Sequence, residues 1–435
     1  MTRIVFRFTF LYFGLICLAM PLAWFVYAGW LVPQLASTVA DWPGHVLGPL
    51  CEWVGRHVFG VDARWHATDG GDRIVDWILL FCVLAVAVFG TVAWSVLDRR
   101  RREYRRLGGW FALIIRLVVA GQMFYYGTGK LIPDQMQRPA LSSLLQSYGD
   151  LTPMGVLWAQ VGSSPVYEIL LGGAEMTAGI LLFVPRTAIA GALLALIDMA
   201  MVFTLDMTFD VDVKIWSGHL MLMSLVLLAP EARRLANVLV LNRTARPSTA
   251  PYPFHTVESR RIAAAVQVAL CLWVSTSFVY FGWKNWSEYG DGRPKPPLYG
   301  IWTVQEFTRD GQAVPPLLTD PDRWQRIVFD DYPGFMEYQR MDGTLVPTHV
   351  DVDTRAHRLQ LTTADALPKP RSGPPSQQPP QPLGTFTFQQ SSPDRLRLDG
   401  ELEGHPVTVT LERFDENRFP QRSRGFHWSQ EYSFF

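Results

Sequence analysis

Seven apolar stretches set the strongest limit on what this chain can fold into. Each has, or nearly has, the roughly 20 residues that an α-helix needs to cross the apolar core of a bilayer, and several end at a proline or a charge. With 49% hydrophobic and only 18% charged residues, the composition also differs from that of an average soluble protein. We therefore predict an α-helical polytopic membrane protein with about seven transmembrane helices, at 8–30, 75–97, 109–129, 166–184, 187–205, 214–230 and 262–283.

The charges and cysteines disfavour several classes of function. The 39 basic and 39 acidic residues cancel, so no net field recruits a nucleic acid, and we expect no nucleic-acid partner. The four cysteines are scattered and form no Cys-x-x-Cys pair, which disfavours thiol–disulfide chemistry and cysteine metal clusters. The sequence has neither a haem-attachment motif nor a Gly-rich dinucleotide fingerprint. No intrinsic cofactor is evident, and an electron carrier would be a quinone or belong to a partner.

Basic residues in the connecting loops indicate how the helices are oriented. Lys and Arg near helix ends stay on the cytoplasmic side of a membrane. Arginines cluster at 99–106 and 233–261, after the second and sixth stretches, and Arg186 lies in the tight turn after the fourth. The alternate loops are then outside, including the long loop 31–74. We predict a multi-pass protein of the bacterial inner membrane with a cytoplasmic N-terminus and an extracytoplasmic C-terminus.

The composition changes near residue 296, where short alternating segments closed by turn signals replace the apolar stretches. They predict a C-terminal all-β domain, either a small up-and-down barrel or a sandwich. The Pro-rich segment 368–382 is predicted to be a loop, because proline cannot donate ladder hydrogen bonds. The candidate strands are 299–308, 325–330, 335–341, 345–353, 358–361, 385–389, 395–398 and 407–414.

The predicted organisation has four parts. Two N-terminal helices with a long outer loop occupy 1–108, and a four-helix membrane bundle occupies 109–243. A cytoplasmic loop and the seventh helix follow at 244–295, and the extracytoplasmic β-domain occupies 296–435.

Ionisable residues inside two of the stretches follow helical spacing. Such a group inside a bilayer costs a few kcal/mol, so each one requires a partner or a function. Arg116 and Lys130 share one face of the third stretch with small residues, and Glu168 and Glu175 share one face of the fourth with two glycines. Small residues let helix backbones approach closely in lipid. We therefore predict that these two faces contact each other.

A polar cluster is predicted toward the outer ends of the fifth and sixth stretches. Besides Lys130 and Glu175, its members are Asp198, Asp206, Asp210, Asp212, Lys214 and His219. Carboxylate oxygens bind hard cations, but the spacing is not that of a calcium loop and we predict no metal site. Two alternatives stay open. Lys130, Glu175, Asp198 and His219 satisfy one another as a packing network, or they form a functional site through which protons move.

Four segments resemble, in order and spacing, those of the DoxX family of bacterial membrane proteins: FYYGTGKLIP, YGDLTPMGVLWAQVG, GGAEMTAGILLFVPRT and FDVDVKIWSGHLMLMSLVLLAP. The resemblance covers about residues 109–243. It implies a four-helix membrane bundle in which Gly127 and Lys130 match a Gly-x-x-Lys-like element and Glu175 matches a glutamate among glycines. It also implies a redox context, since founding members are described as a membrane subunit of a thiosulfate:quinone oxidoreductase and others as membrane partners of redox and detoxifying enzymes.

The leading hypothesis from the sequence is an auxiliary membrane component of a redox or respiratory assembly. It would contact membrane lipid and a partner redox subunit, with a quinone pocket near Lys130, Glu175, Asp198 and His219. One alternative is a proton-coupled small-molecule transporter that uses the same charges. Another is an envelope scaffold whose external β-domain binds a protein or a lipid. The sequence assigns no catalytic residue and leaves open whether the protein is an enzyme.

Overall fold

A computed structural model of the chain describes residues 3–35, 42–66, 71–101, 103–245, 247–248, 252–363 and 381–433. The chain divides into two compact units. The first, the helical unit, is Met1–Met136 with Pro153–Trp286, and the second, the β-unit, is Gln137–Thr152 with Ser287–Phe435. The β-unit is therefore discontinuous in sequence. The sequence predicted instead an uninterrupted bundle at 109–243 and a β-domain that starts at 296.

The helical unit contains the membrane helices that the apolar stretches predict. In the described part of the chain, six helices are long and apolar enough to cross a membrane, and a bent pair at the N-terminus makes a possible seventh span. The helices are α1 Arg3–Ala19, α2 Leu22–Phe25, α3 Trp42–Val54, α4 Ile74–Leu97, α5 Arg105–Leu131, α6 Pro153–Gly162, α7 Pro165–Phe183, α8 Ala188–Thr208, α9 Lys214–Leu228, α10 Ala232–Leu239 and α11 Val257–Glu288.

The first apolar stretch is not the single helix that the sequence predicts. α1 ends at Ala19, and the following segment, α2 with a 3₁₀-helix over Val26–Gln34, is bent from α1 by 77°. Pro21 lies at the break. Because proline has no backbone N–H, it cannot donate the next hydrogen bond of α1. Further along, Gly29 has a φ of +53°, and the indole of Trp273 lies where a Cβ would be. The stretch is therefore a broken span or a re-entrant segment.

Helices α5, α7, α8 and α9 pack as a four-helix bundle, with the most extensive contact between α5 and α7. A Cβ at Gly172 of α7 would lie 2.3 Å from the backbone nitrogen of Leu131, and one at Gly127 of α5 would lie 2.9 Å from the α7 backbone. Only glycine allows this approach. The two faces predicted from helical spacing therefore contact each other, and Lys130 meets Glu175 across the contact.

The β-unit contains an eight-stranded antiparallel barrel with a further two-residue strand, β2. The barrel strands follow one another in sequence order, and β9 pairs with β1 to close the barrel. The all-β prediction is confirmed in its barrel form, and each predicted strand overlaps a barrel strand. The strands are β1 Gly300–Arg309, β2 Gln312–Ala313, β3 Trp324–Phe329, β4 Phe335–Arg340, β5 Leu345–Asp353, β6 Arg358–Thr363, β7 Pro382–Ser392, β8 Arg395–Leu402 and β9 His405–Arg413.

The predicted Pro-rich loop 368–382 lies almost wholly outside the described residues. Its last residue, Pro382, begins β7.

Large apolar side chains fill the interior of the barrel. Trp302, Trp324 and Phe386 are at most 2% exposed, and aliphatic residues such as Leu398 and Val409 pack with them. An eight-stranded barrel has an interior just wide enough for side chains to fill. Side chains that point into the barrel are buried, whereas most of those that point outward are not. Apolar and polar residues therefore alternate along the barrel strands.

The segment 137–152, here called the connector, joins α5 to α6 but belongs to the β-unit. Leu141 is fully buried against the outer face of the barrel, where Val328 lies. The Asp330 carboxylate accepts hydrogen bonds from the Leu141 N–H at 3.1 Å and from the N–H and hydroxyl of Ser142, both at 3.0 Å. Hydrogen bonds to an ionised acceptor are roughly twice as strong as neutral ones. The connector is therefore firmly attached to the barrel wall.

Candidate functional site

A cavity of about 510 Å³ lies in the helical unit, among α5, α6, α7, α8 and α9. We call it the bundle cavity. Its ionisable lining residues include Lys130, Glu175, Asp198 and Asp206, and the apolar walls are described below. Its volume is within the roughly 300–1,000 Å³ of typical small-molecule sites. The short helix α6, which forms part of one wall, was not among the predicted helices, although its sequence falls in the segment YGDLTPMGVLWAQVG.

A buried ion pair between α5 and α7 lies in the lining of the bundle cavity. The Nζ of Lys130 donates to Oε1 of Glu175 at 2.7 Å, and the two side chains are 7% and 1% exposed. The same Nζ lies 5.6 Å from the centre of the Tyr126 ring, within the range of a cation–π interaction. A buried ion pair is tolerated only with close geometry of this kind. Helical spacing alone placed both partners correctly.

Three carboxylates of the bundle cavity are incompletely partnered. Among the described residues, nothing hydrogen-bonds to Oε2 of Glu175 or to the Oδ2 atoms of Asp198 and Asp206. All three residues are buried, with at most 7% exposure. A buried acceptor without a donor costs free energy unless it is protonated or meets a ligand. Asp212 adds a fourth acidic side chain to the lining, and the cation that faces them in the described lining is Lys130.

The rest of the bundle cavity is apolar and aromatic. Leu157 and Val161 contribute from α6, and Val202 and Leu205 contribute from α8. Four aromatic rings also line it, those of Tyr126, Trp158, Tyr167 and Phe209. A mostly apolar lining with a few polar groups is typical of a small-molecule site. The cavity therefore fits a ligand with an apolar body and one polar group.

His219, predicted as a member of the polar cluster, does not line the bundle cavity. Its Nε2 is hydrogen-bonded to the hydroxyl of Tyr12 at 2.9 Å, and the two rings stack with centres 5.8 Å apart. Ser217 and Leu220 do line the cavity, and His219 lies about 100° around α9 from Leu220, because successive helical residues point in different directions. The predicted network of Lys130, Glu175, Asp198 and His219 is thus wrong in its histidine.

Arg116 and Glu168 also lie outside the lining, although each shares a helical face with a cavity residue. Arg116 donates to the side-chain oxygen of Gln267 on α11. Glu168 accepts a hydrogen bond from the backbone N–H of Met136 at 2.9 Å. Both are buried and bonded to groups of the helical unit, which is the arrangement expected of structural ionisable groups.

The polar residues predicted between α8 and α9 fall into two groups. Asp212 lines the bundle cavity, whereas Lys214 pairs with the exposed Asp210 at 3.0 Å. The start of α9 is capped by Asp72, whose carboxylate accepts from the N–H groups of Lys214 at 2.6 Å and Ile215 at 2.9 Å. A carboxylate at a helix N-terminus is favourable. Sequence reasoning missed Asp72, because the contact spans 142 residues and no local pattern signals it.

The chemistry available at the bundle cavity is ionic binding and proton exchange. In the part of the chain that the structure covers, no group of three or more His, Cys, Asp or Glu side chains is placed to hold a metal ion. Carboxylates and an ammonium group can instead bind a polar group and give or accept protons.

Comparison with known proteins gives one informative match. The chain is 30% identical over 132 residues to the uncharacterized protein YwoB of Bacillus subtilis (strain 168). The match covers 28% of this chain and 78% of YwoB. No protein-family model matches the chain. No solved structure matches it either.

Proposed function

Since the chain belongs to the same family as the uncharacterized protein YwoB of Bacillus subtilis, whose name assigns no activity, we propose a function from the bundle cavity: proton-coupled transport of a small amphiphilic molecule across a membrane. One observation carries the proposal. Buried carboxylates with unpartnered oxygens line a ligand-sized cavity, and they belong to helices that are long and apolar enough to span a membrane. Ionisable residues at such positions typically mark substrate pathways and proton relays.

The positions of the carboxylates support a pathway rather than a single point of binding. Asp198 and Asp206 both lie on α8, which places them about 12 Å apart along the helix axis at 1.5 Å per residue. Glu175 projects from α7 into the same cavity, where Lys130 neutralises it. A ligand that passes from one aspartate to the other meets an ionisable group at each depth. Proton release at either depth then accompanies its movement.

The proposal is tested in proteoliposomes that contain the full-length protein and a pH-sensitive dye. We would add 2-phenylethylamine, 2-phenylethanol or 3-phenylpropanoate outside and record the internal pH, with protein-free liposomes as the blank. At least one compound is expected to move protons faster than the blank does. Asp198→Asn should lower that rate at least about tenfold, since a factor of ten corresponds to roughly 1.4 kcal/mol.

Asp210→Asn is the matched control, because it makes the same change at an exposed carboxylate outside the bundle cavity. It should leave the rate unchanged. Proton movement that equals the blank for all three compounds, or that ignores Asp198→Asn, contradicts proton-coupled transport.

A quinone site in a redox or respiratory assembly is the second candidate, and the surroundings of Lys130 favour it. The ammonium group beside the Tyr126 ring is a hydrogen-bond donor next to an apolar wall, and a quinone oxygen is an acceptor on an apolar ring. Electrons would come from a partner redox subunit, as the resemblance to the DoxX family implies. A short-chain ubiquinone should then bind the purified protein, and Lys130→Met should weaken binding at least about tenfold. Undetectable quinone binding would remove this candidate.

We also propose that the protein lies in the bacterial inner membrane with its N-terminus in the cytoplasm. The arginines at 99–106 and 233–261 support this orientation, since basic loops stay inside. A C-terminal alkaline phosphatase fusion should be active, whereas a C-terminal green fluorescent protein fusion should be dark. An inactive phosphatase fusion with a fluorescent protein fusion that is bright would place the C-terminus in the cytoplasm and contradict the proposed orientation.

A further inference from the structure

We infer that the ligand of the bundle cavity is a lipophilic organic cation, a monovalent ammonium on an aromatic or branched apolar body. The inference rests on the proposed transport function and specifies its substrate class. Its starting point is the imbalance of charge in the described lining, where Glu175, Asp198, Asp206 and Asp212 face the single cation Lys130.

The ion pair leaves the aspartates without a cation of their own. Lys130 donates to Glu175 at 2.7 Å. Asp198 is influenced by the charges of Glu175 and Lys130. Asp206 is influenced by the neutral Ser217 side chain through a hydrogen bond and by the charges of Asp72, Lys214 and Lys130. Lys214 lies outside the lining and is bonded to Asp210. Within the cavity, a positive ligand is therefore the group that compensates the aspartates.

The unpartnered oxygens specify what kind of polar group fits. Oδ2 of Asp198 and Oδ2 of Asp206 have no donor among the residues that the structure describes, and both aspartates are more than nine-tenths buried. Once it has released its proton, a carboxylate only accepts hydrogen bonds. A ligand carboxylate or carbonyl would place acceptor against acceptor, whereas an ammonium supplies both the donor and the charge. The geometry thus favours a cation over an anion or a neutral acceptor.

The walls specify the body of the ligand. The rings of Tyr126, Trp158, Tyr167 and Phe209 line the cavity, and aromatic faces attract cations as well as apolar groups. A cavity of about 510 Å³ holds more than an inorganic ion. An ammonium on a phenyl-sized or larger body fills such a space.

Binding of the cation and release of one proton together conserve charge in the cavity. A protonated aspartate gives up its proton as the ammonium arrives, so that R–NH₃⁺ and Asp–COOH become the pair R–NH₃⁺···⁻OOC–Asp and one free proton. No bond of the ligand breaks. One proton leaves for each monovalent cation that binds, which is the exchange that the proposed transport requires.

Calorimetry on the full-length protein in detergent tests the inference. The probes share one body and differ in charge: 2-phenylethylammonium, 2-phenylethanol and 3-phenylpropanoate. The cation should bind at least tenfold more tightly than the alcohol, and the anion should not bind detectably. Titrations in two buffers with different ionisation enthalpies should show proton release with the cation. Asp198→Asn or Asp206→Asn, whichever removes the carboxylate that pairs with the ammonium, should weaken cation binding at least tenfold, while Asp210→Asn should not.

The outcomes separate this inference from the function on which it rests. Tighter binding of the alcohol or the anion than of the cation overturns the cation class, and proton-coupled transport survives if that compound still moves protons in proteoliposomes. Cation binding that persists in both aspartate variants also overturns the inference. Cation binding with proton release but no proteoliposome flux supports the cation class and contradicts transport.

Discussion

The interiors of the two units are filled in opposite ways. In the barrel, side chains such as Trp302 and Trp324 occupy the interior and are almost inaccessible to solvent. In the bundle, about 510 Å³ stays open beside carboxylates such as Asp198, whose Oδ2 has no partner among the described residues. Burying apolar surface stabilises a fold, whereas an unpartnered buried acceptor destabilises it. Proteins tolerate such departures from good packing mainly at functional sites, so the difference directs attention to the bundle.

The largest effect is expected where the barrel interior is emptied. Trp324→Ala removes a fully buried ring and should lower the free energy of unfolding of the barrel by about 3–5 kcal/mol, because the transfer and cavity terms add. Trp428→Ala is the control, since Trp428 is 94% exposed, and it should leave stability unchanged. The measurement is a urea titration of the full-length protein, read by proteolysis of the β-unit. Equal urea midpoints for Trp324→Ala and Trp428→Ala would contradict this prediction. They would show that the barrel interior tolerates a cavity, as the bundle does.

A smaller effect is expected at the closest helix contact. Gly172→Ala places a methyl group 2.3 Å from the Leu131 backbone nitrogen, which α5 can relieve only by moving away. The expected loss is about 1–3 kcal/mol, as for other overpacked sites. Gly173→Ala makes the same change where nothing lies within 4 Å. Thermal unfolding in detergent, followed by size-exclusion chromatography, should distinguish the two variants. Equal melting temperatures would contradict the close approach of α5 and α7.

The smallest effect concerns a carboxyl group on the barrel. Burial, reinforced by Asp330 and opposed by a hydrogen bond with Ser142, raises the pKa of Glu337 to about 7 from its ordinary 4.5. The folded state then holds the proton more tightly than the unfolded state, so the stability of the β-unit falls as the pH rises from 4.5 to about 7. Glu337→Gln should remove this loss and stabilise the protein at pH 8 by on the order of 1–2 kcal/mol, because the full rise in pKa from 4.5 to about 7, at roughly 1.4 kcal/mol per pKa unit, is an upper bound for a side chain that is only partly buried.

The comparison of Glu337→Gln with the native chain should be made by urea titration at pH 4 and at pH 8. No difference is expected at pH 4, where both states carry the proton. Glu401→Gln, at an exposed strand position, is the matched control. A stabilisation by Glu337→Gln that is the same at both pH values would contradict the titration of Glu337.

Periodicity in the sequence accounts for much of the fold and for the centre of the site. Helical spacing predicted that the faces with Lys130 and Glu175 meet, because both faces combine small residues with costly charges. Alternation and turn residues predicted the eight barrel strands, because the barrel has one buried face on every strand. These features depend on neighbours close in sequence, which a single chain reveals.

The features that the sequence did not reveal depend on distant contacts. His219 bonds to Tyr12 and Asp72 caps α9, and each contact joins segments far apart in the chain. The continuous hydrophobic sequence around Pro21 predicted one unbroken helix. The bend after Ala19 follows only if Pro21 is taken as a break in that helix. The attachment of Leu141 to the barrel is likewise invisible to local pattern, because the connector has no strand or long helix of its own.

That attachment has a consequence for any attempt to separate the barrel from the rest of the chain. A fragment that begins at Ser287 carries every barrel strand but lacks the connector that buries Val328 and hydrogen-bonds to Asp330. It would expose an apolar patch and take from the buried Asp330 carboxylate the three donors that Leu141 and Ser142 supply, which leaves it the Asp331 N–H. The barrel is therefore not an appended module with one sequence boundary. Its smallest complete unit is a two-segment domain, and a fragment for expression should join 137–152 to 287–435 through a linker.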